Sequence, residues 1–195
     1  MEEKKTDKSK KRGIWLAGLI CAAVMTVFCG LVYPLIMTGI AQLTMPRQAN
    51  GSLIVVEEDG QKVCYGSELI GQTFTQPQYL IGRPDDGSPS NLSAVSPGQE
   101  ELVRERIQWW HELDPGNTAD IPMELVTSSG SGVDPHISPA AAEYQVSRIA
   151  RERGMGEDEV RAVIAKHTDG KDLGFLGEDR VNVLMVNLEL DGKIS

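Results

Sequence analysis

Apolar residues are distributed along this chain in two very different ways. From Ile14 to Met37 they run on without a charge, whereas beyond residue 50 they recur at intervals among polar residues. The first pattern, 24 residues reading IWLAGLICAAVMTVFCGLVYPLIM, predicts a helix about 36 Å long. That length crosses a hydrocarbon core of about 30 Å with some tilt. Pro34 lacks a backbone donor and predicts a kink or an end near the far interface. Trp15 and Tyr33 sit near the two ends, where amphipathic rings favour the interface. A cleaved leader is the competing reading. The run exceeds a leader's usual apolar region, and Arg47 occupies the small-residue position that cleavage after Ala49 would need.

The second pattern predicts a mixed domain. Leu53–Val56 and Gln61–Tyr65 form a hairpin around the turn Glu58-Asp59-Gly60. Residues 71–91 read as a long loop rich in Gly, Pro, Ser and Asp. Val103, Ile107 and Trp110 share one face of a helix over Gln99–Leu113, which Asp114-Pro115-Gly116 ends. Trp109 and Trp110 are read as core anchors. Ile121–Val126 reads as a strand, and Thr127–Ser138 as a second loop of small residues. Ser138-Pro139 starts a helix that runs to Arg153, with Gly154 closing it. Glu157–Lys166 is a further helix with Val160, Val163 and Ile164 inward. Thr168–Lys171 reads as a turn at its end. The alternation in Val181–Leu190 predicts a closing strand. The expected fold is therefore one N-terminal transmembrane helix plus one α+β extracytoplasmic domain.

Charge supplies the orientation. Residues 1–12 carry six basic side chains, whereas the first stretch after the apolar run carries only Arg47. The positive-inside rule puts the N-terminus in the cytoplasm and the domain outside, in the plasma (inner) membrane. The expected organisation is a basic cytoplasmic head at 1–12, a transmembrane helix at 13–43 and an extracytoplasmic domain at 44–195. Small residues on the helix, Ala17, Gly18, Ala22, Ala23 and Gly30, are candidates for packing against partner helices.

Beyond the head, the chain holds 13 basic and 25 acidic residues, a net charge of −12. That balance argues against nucleic acid and against an anionic lipid surface as partner. Cys21 and Cys29 lie in the apolar run, so Cys64 is alone in the domain and no intradomain disulfide is expected.

Ser131, Asp134 and His136 lie within six residues and invite a triad reading. Triad members ordinarily converge from separate elements, and Ser129 and Val133 stand where a nucleophile elbow needs glycine. The loop reading is that Gly130 and Gly132 permit tight turns, Asp134 closes a turn before Pro135, and His136 bonds the loop backbone. His111, His136 and His167 are scattered without metal-ligand spacing, and no phosphate-cradling glycine motif occurs. The pattern is that of a non-enzymatic, membrane-tethered partner subunit.

Several ordered blocks carry a resemblance. Gly71-Gln72-Thr73-Phe74, Pro77-Gln78-Tyr79, Gly82-Arg83-Pro84, Ser90-Asn91-Leu92, TSSGSGVDPHISPAAA over Thr127–Ala142, Gln145, Arg148-Ile149-Ala150, Arg153-Gly154 and residues 176–184 together resemble the C subunit of the Kdp potassium-transporting ATPase. Here the loop before Ser90, Asp85–Pro89, is shorter than in many relatives, which often carry a serine-glycine-glycine run there, so no role of that run is carried over. The resemblance implies a non-catalytic subunit beside a potassium-binding channel-like subunit and an ATP-hydrolysing P-type subunit. It implies a chaperone-like part in assembly and in raising the ATP affinity of the hydrolysing subunit. No cofactor is assigned to this chain; ATP and potassium are handled by the complex. With the domain outside, an effect on ATP affinity would act by coupling across the complex. The domain would cap the potassium entrance, with Arg83, Ser90, Asn91, Ser131, Asp134 and His136 as candidate partner contacts. The alternative is a free-standing, membrane-anchored extracytoplasmic binding module or hydrolase.

Overall fold

A computed structural model of the chain describes residues 3–85, 87 and 91–194, with the side chains of residues 3–12 outside that description. Ser90 also lies outside the described residues. The chain divides into two compact units, Met1–Ser52 and Leu53–Ser195.

The first unit is helical. Helix α1 (Glu3–Val27) passes through a π-helical turn at Phe28–Val32 into α2 (Tyr33–Thr44), and a short α3 (Pro46–Ala49) follows. The stretch Gly13–Thr44 is apolar along its length, and none of its residues is buried. Pro34 does not end the helix; the irregularity falls just ahead of it. Tyr33 N–H donates to Phe28 O, five residues back, and Pro34 then occupies the first turn of α2. A widened turn lets the helix continue where proline withholds its N–H.

The second unit begins with a hairpin, β1 (Leu53–Glu58) and β2 (Gln61–Ser67). Asp59 and Gly60 both have positive φ, 51° and 78°, as a two-residue I′ turn requires. Ile54, Val56 and Tyr65 cluster with Leu184 and Leu188. Helix α4 (Pro97–Leu113) is capped by Ser96, whose hydroxyl accepts the Gln99 N–H, and its Trp110 is almost fully buried.

Three of the expected helices and strands differ. Ile121–Val126 is not a strand but a single 3₁₀ turn at Met123–Leu125, entered through Pro122. Proline cannot donate to a ladder, and the Leu125 carbonyl instead accepts from Trp110 Nε1 at 3.1 Å. The helix expected from Ser138 to Arg153 is two, α5 (Pro139–Glu143) and α6 (Val146–Arg153). Ser138 caps the first, and Gly154, at φ +64°, ends the second. Between them Gln145 turns into the core. Finally, Val181–Leu190 is a short strand and a helix. After α7 (Glu157–Lys166) come β4 (Thr168–Asp169), β5 (Arg180–Asn182) and α8 (Val183–Leu190). Asn182 Oδ1 accepts the Met185 N–H and starts α8. Strand β3 (His136–Ile137) pairs antiparallel with β5, which pairs with β4, giving the order β3-β5-β4.

The segment from Pro77 to Ile81 has no regular structure yet runs through the core, with Leu80 fully buried. Its backbone is satisfied by side chains. Asn187 Oδ1 accepts Leu80 N–H at 2.7 Å and Nδ2 donates to Leu80 O at 2.8 Å. Gln145 does the same for Ile81, both at 2.9 Å. Arg148, fully buried, donates to the carbonyls of Pro77 and Tyr79 (the latter at 3.1 Å) and to Gln145 Oε1 at 2.6 Å. Its guanidinium lies 5.7 Å from the Trp110 ring centroid, and burial pulls its pKa down to about 10. Side-chain amides thus stand in for a neighbouring strand, which meets the demand that buried backbone be hydrogen-bonded.

Candidate partner-contact surface

The core-threading segment delivers Arg83 to the second loop. Arg83 Nη2 donates to the carbonyls of Ser128 and Thr127, at 3.1 and 3.4 Å, and Nη1 lies 3.7 Å from Asp134 Oδ2. From α4, Arg106 adds bonds to Val126 O and Ser128 Oγ, both at 3.1 Å. The loop is also closed on itself. Ser129 Oγ accepts Gly132 N–H at 2.9 Å, and Ser131 Oγ accepts Val133 N–H at 3.2 Å while meeting Ser129 Oγ at 3.2 Å. Gly132 takes φ +74°. Gly71 N–H donates to Val133 O at 2.7 Å, and a Cβ on Gly71 would stand 2.7 Å from Asp134 O. Only glycine permits that approach.

Asp134 Oδ1 accepts the His136 N–H at 3.0 Å, closing the expected turn across Pro135. The His136 ring has Nδ1 3.8 Å from Asp134 Oδ1 and Nε2 3.5 Å from Asn182 Nδ2. With the amide as donor, Nε2 accepts and the neutral ring carries its proton on Nδ1, toward Asp134. Burial holds the imidazole pKa below its ordinary value, against the pull of Asp134.

His136 borders a depression of about 340 Å³ that also meets Lys166, His167, Arg180 and Asn182. The charges there are matched. Glu189 takes Lys166 at 3.0 Å and His167 Nε2 at 2.6 Å, and Arg180 faces Asp169 at 3.7 Å. Burial would raise the Glu189 pKa, but the bonds from Lys166 and His167 outweigh it and hold the carboxyl below its usual range.

Of the six domain residues singled out from the sequence, Arg83, Asp134 and His136 come together. Ser131 spends its hydroxyl inside its own loop, so its bonding is that of a turn rather than of a nucleophile paired with a base. Asn91 is exposed with φ +53°. On the anchor, Gly18, Ala22 and Gly30 are exposed, and an added Cβ at either glycine would meet nothing within 4 Å. No cluster of three or more His, Cys, Asp or Glu suited to a metal occurs among the described residues.

A family model described as "K+-transporting ATPase, c chain" (KdpC) matches residues 15–192. The chain belongs to the KdpC family. It is similar to the potassium-transporting ATPase KdpC subunit of Listeria welshimeri, 53% identical over 180 residues, covering 91% of this chain and 95% of that one. The KdpC subunit of Sorangium cellulosum is 49% identical over 184 residues, covering 89% and 95%. That of Methylococcus capsulatus is 47% identical over 183 residues, covering 89% and 94%. Membership makes the chain a subunit of a potassium-transporting P-type ATPase, and among the described residues one helix, over Gly13–Thr44, is long and apolar enough to fit a membrane anchor. The matched span takes in the anchor from Trp15, the core-threading segment with Arg83, the loop Thr127–Ser138 and the β3-β5-β4 sheet.

Sequence reasoning missed one feature of this surface. Residues 171–179, between β4 and β5, are exposed without a break and include Leu173, Phe175 and Leu176. The expected turn at Thr168–Lys171 is instead the strand β4 followed by this excursion. Three apolar residues set among glycines and carboxylates were the available signal.

Proposed function

We propose that the chain is the single-pass accessory subunit of a potassium-importing ATPase, with its head in the cytoplasm and its domain outside, over the potassium entrance. The observation that carries this reading is the apolar stretch Gly13–Thr44, uncovered throughout and preceded by six basic residues. Its partners are the potassium-binding, channel-like subunit and the ATP-hydrolysing P-type subunit of the same complex. The pinned surface of Arg83, Asp134 and His136 serves contact with them, not chemistry: its hydrogen bonds are directed into the fold. The chain assists assembly and raises the ATP affinity of the hydrolysing subunit. From outside the membrane it does so by coupling between sites, without touching the nucleotide.

Cys64 tests the arrangement, since it is exposed on β2 while Cys21 and Cys29 belong to the anchor. In intact cells an impermeant maleimide is expected to label Cys64, and the labelled chain to co-purify with two larger membrane proteins. Labelling only after lysis, with the folded thiol reactive, would place the domain inside and make direct contact with ATP the better account.

A further inference from the structure

The excursion between β4 and β5 is a built finger. Asp172 N–H donates to Leu176 O at 2.8 Å, Leu176 N–H returns to Asp172 O at 2.9 Å, and Gly174 N–H reaches Lys171 O at 3.0 Å. Leu173 itself adopts φ +54°, followed by Gly174 at +80° and Gly177 at +79°. A leucine is held in a left-handed conformation that its side chain disfavours. What this backbone achieves is display: Leu173, Phe175 and Leu176 are 84%, 72% and 50% exposed. Isolated exposed apolar residues need no account, but three on one ordered tip form a patch of the kind that marks an interaction site.

Charge identifies the kind of surface that covers it. The tip carries Lys171 against Asp172, Glu178 and Asp179, all exposed, and Arg180 at its base already faces Asp169 at 3.7 Å. Segments that settle on membranes place basic residues beside their apolar ones, and an acidic tip is repelled by anionic lipid. A protein pocket with an apolar floor and a basic rim complements it. The finger also leaves the same three-stranded sheet as the Asp134–His136 loop, because β5 pairs with both β3 and β4.

We propose that residues 171–179 are a docking finger whose Leu173, Phe175 and Leu176 seat in a basic-rimmed apolar pocket on another subunit of the same transport complex. The inference rests on the accessory-subunit reading and names the part of the chain that makes the contact. Because the tip is pre-shaped, little ordering cost is left for docking.

The test uses the whole complex in its own membranes. Phe175→p-benzoylphenylalanine is introduced, the membranes are irradiated, and the tagged chain is purified. The expected product is a covalent adduct with a second subunit, with a yield that falls severalfold in the D172K/E178K/D179K background. In parallel, L173S/F175S is expected to retain partner subunits in detergent at least about tenfold less well, as hot-spot loss predicts. The melting of the full chain in detergent should stay that of the parent, since both side chains are already in solvent. Adducts confined to lipid or to this chain, or no adduct while the subunits co-purify, would overturn the inference and leave the accessory reading standing. If no other subunit co-purifies with the unmodified chain, that reading falls and takes the finger with it.

Discussion

The loop Thr127–Ser138 and the finger Lys171–Asp179 leave the same three-stranded sheet, carry two glycines each and have almost no regular structure, yet they are opposites. In the first, serine hydroxyls, Asp134 and two arginines are bonded into the loop or its supports. In the second, the backbone is bonded and the side chains are not covered. The first loop satisfies itself, and its polar residues explain its shape without a ligand. The second holds apolar groups in water, which is unfavourable unless a partner removes them from it. A dense polar motif is therefore weak evidence for chemistry, and an ordered apolar tip is the stronger pointer to contact.

The largest effect is expected at Arg148, which holds the segment that carries Arg83 to the loop. Arg148→Ala removes donors from Pro77 O, Tyr79 O and Gln145 Oε1 and empties space against Trp110. Unmet buried acceptors and a cavity together predict a loss of about 3–5 kcal/mol. Thermal unfolding of the full chain in detergent measures it. A loss below about 1 kcal/mol would mean that the amides of Gln145 and Asn187 hold the segment unaided.

What was legible in the sequence follows from the same physics. The anchor could be read because its whole circumference is apolar, so length alone identifies it. The hairpin could be read because Asp59-Gly60 demands one turn type. Helix α8 could not: Val183, Leu184, Val186, Asn187 and Leu188 are all buried, so no polar face marks a period of 3.6, and its β-branched residues imitate a strand. The break at Gln145 was hidden for another reason. Its amide bonds Ile81, 64 residues away, and no local pattern announces such a partner. At the candidate surface, the turn at Asp134 was readable from Asp-Pro, but the arginines that hold the loop come from distant segments.

A smaller effect is expected at Gly71. The three atoms nearest the Cβ of Gly71→Ala would all be backbone, Asp134 O at 2.7 Å and the carbonyl carbons of Asp134 and Val133 at 3.1 Å. Backbone cannot swing aside as a flexible side chain can, so the substitution should cost about 1–3 kcal/mol. Gly174→Ala on the finger meets nothing within 4 Å, and its penalty comes from φ +80° alone. Unfolding measurements on the two variants separate packing strain from conformational strain. A loss near zero for Gly71→Ala, below that of Gly174→Ala, would mean that the loop moves away from Gly71 freely.

The smallest effect is the titration of His136. Its folded pKa lies below the ordinary 6.5 because burial disfavours the imidazolium, while Asp134 and Asp169 pull it up and Arg180 pushes it down. Between the two values the unfolded chain binds the proton that the folded chain refuses. Stability from this group is therefore full above the unfolded value and is lost as pH falls through it toward the folded one. The ring is partly exposed, so solvent screening keeps the contribution small. The Glu189 carboxyl, also depressed, loses its contribution as pH falls below its ordinary 4.5. Melting temperatures of the full chain at neutral and mildly acidic pH should fall more for the parent than for His136→Asn. A parent that gained stability on acidification would show that the folded loop binds the imidazolium through Asp134, and that this loop, like the finger, keeps unspent binding capacity.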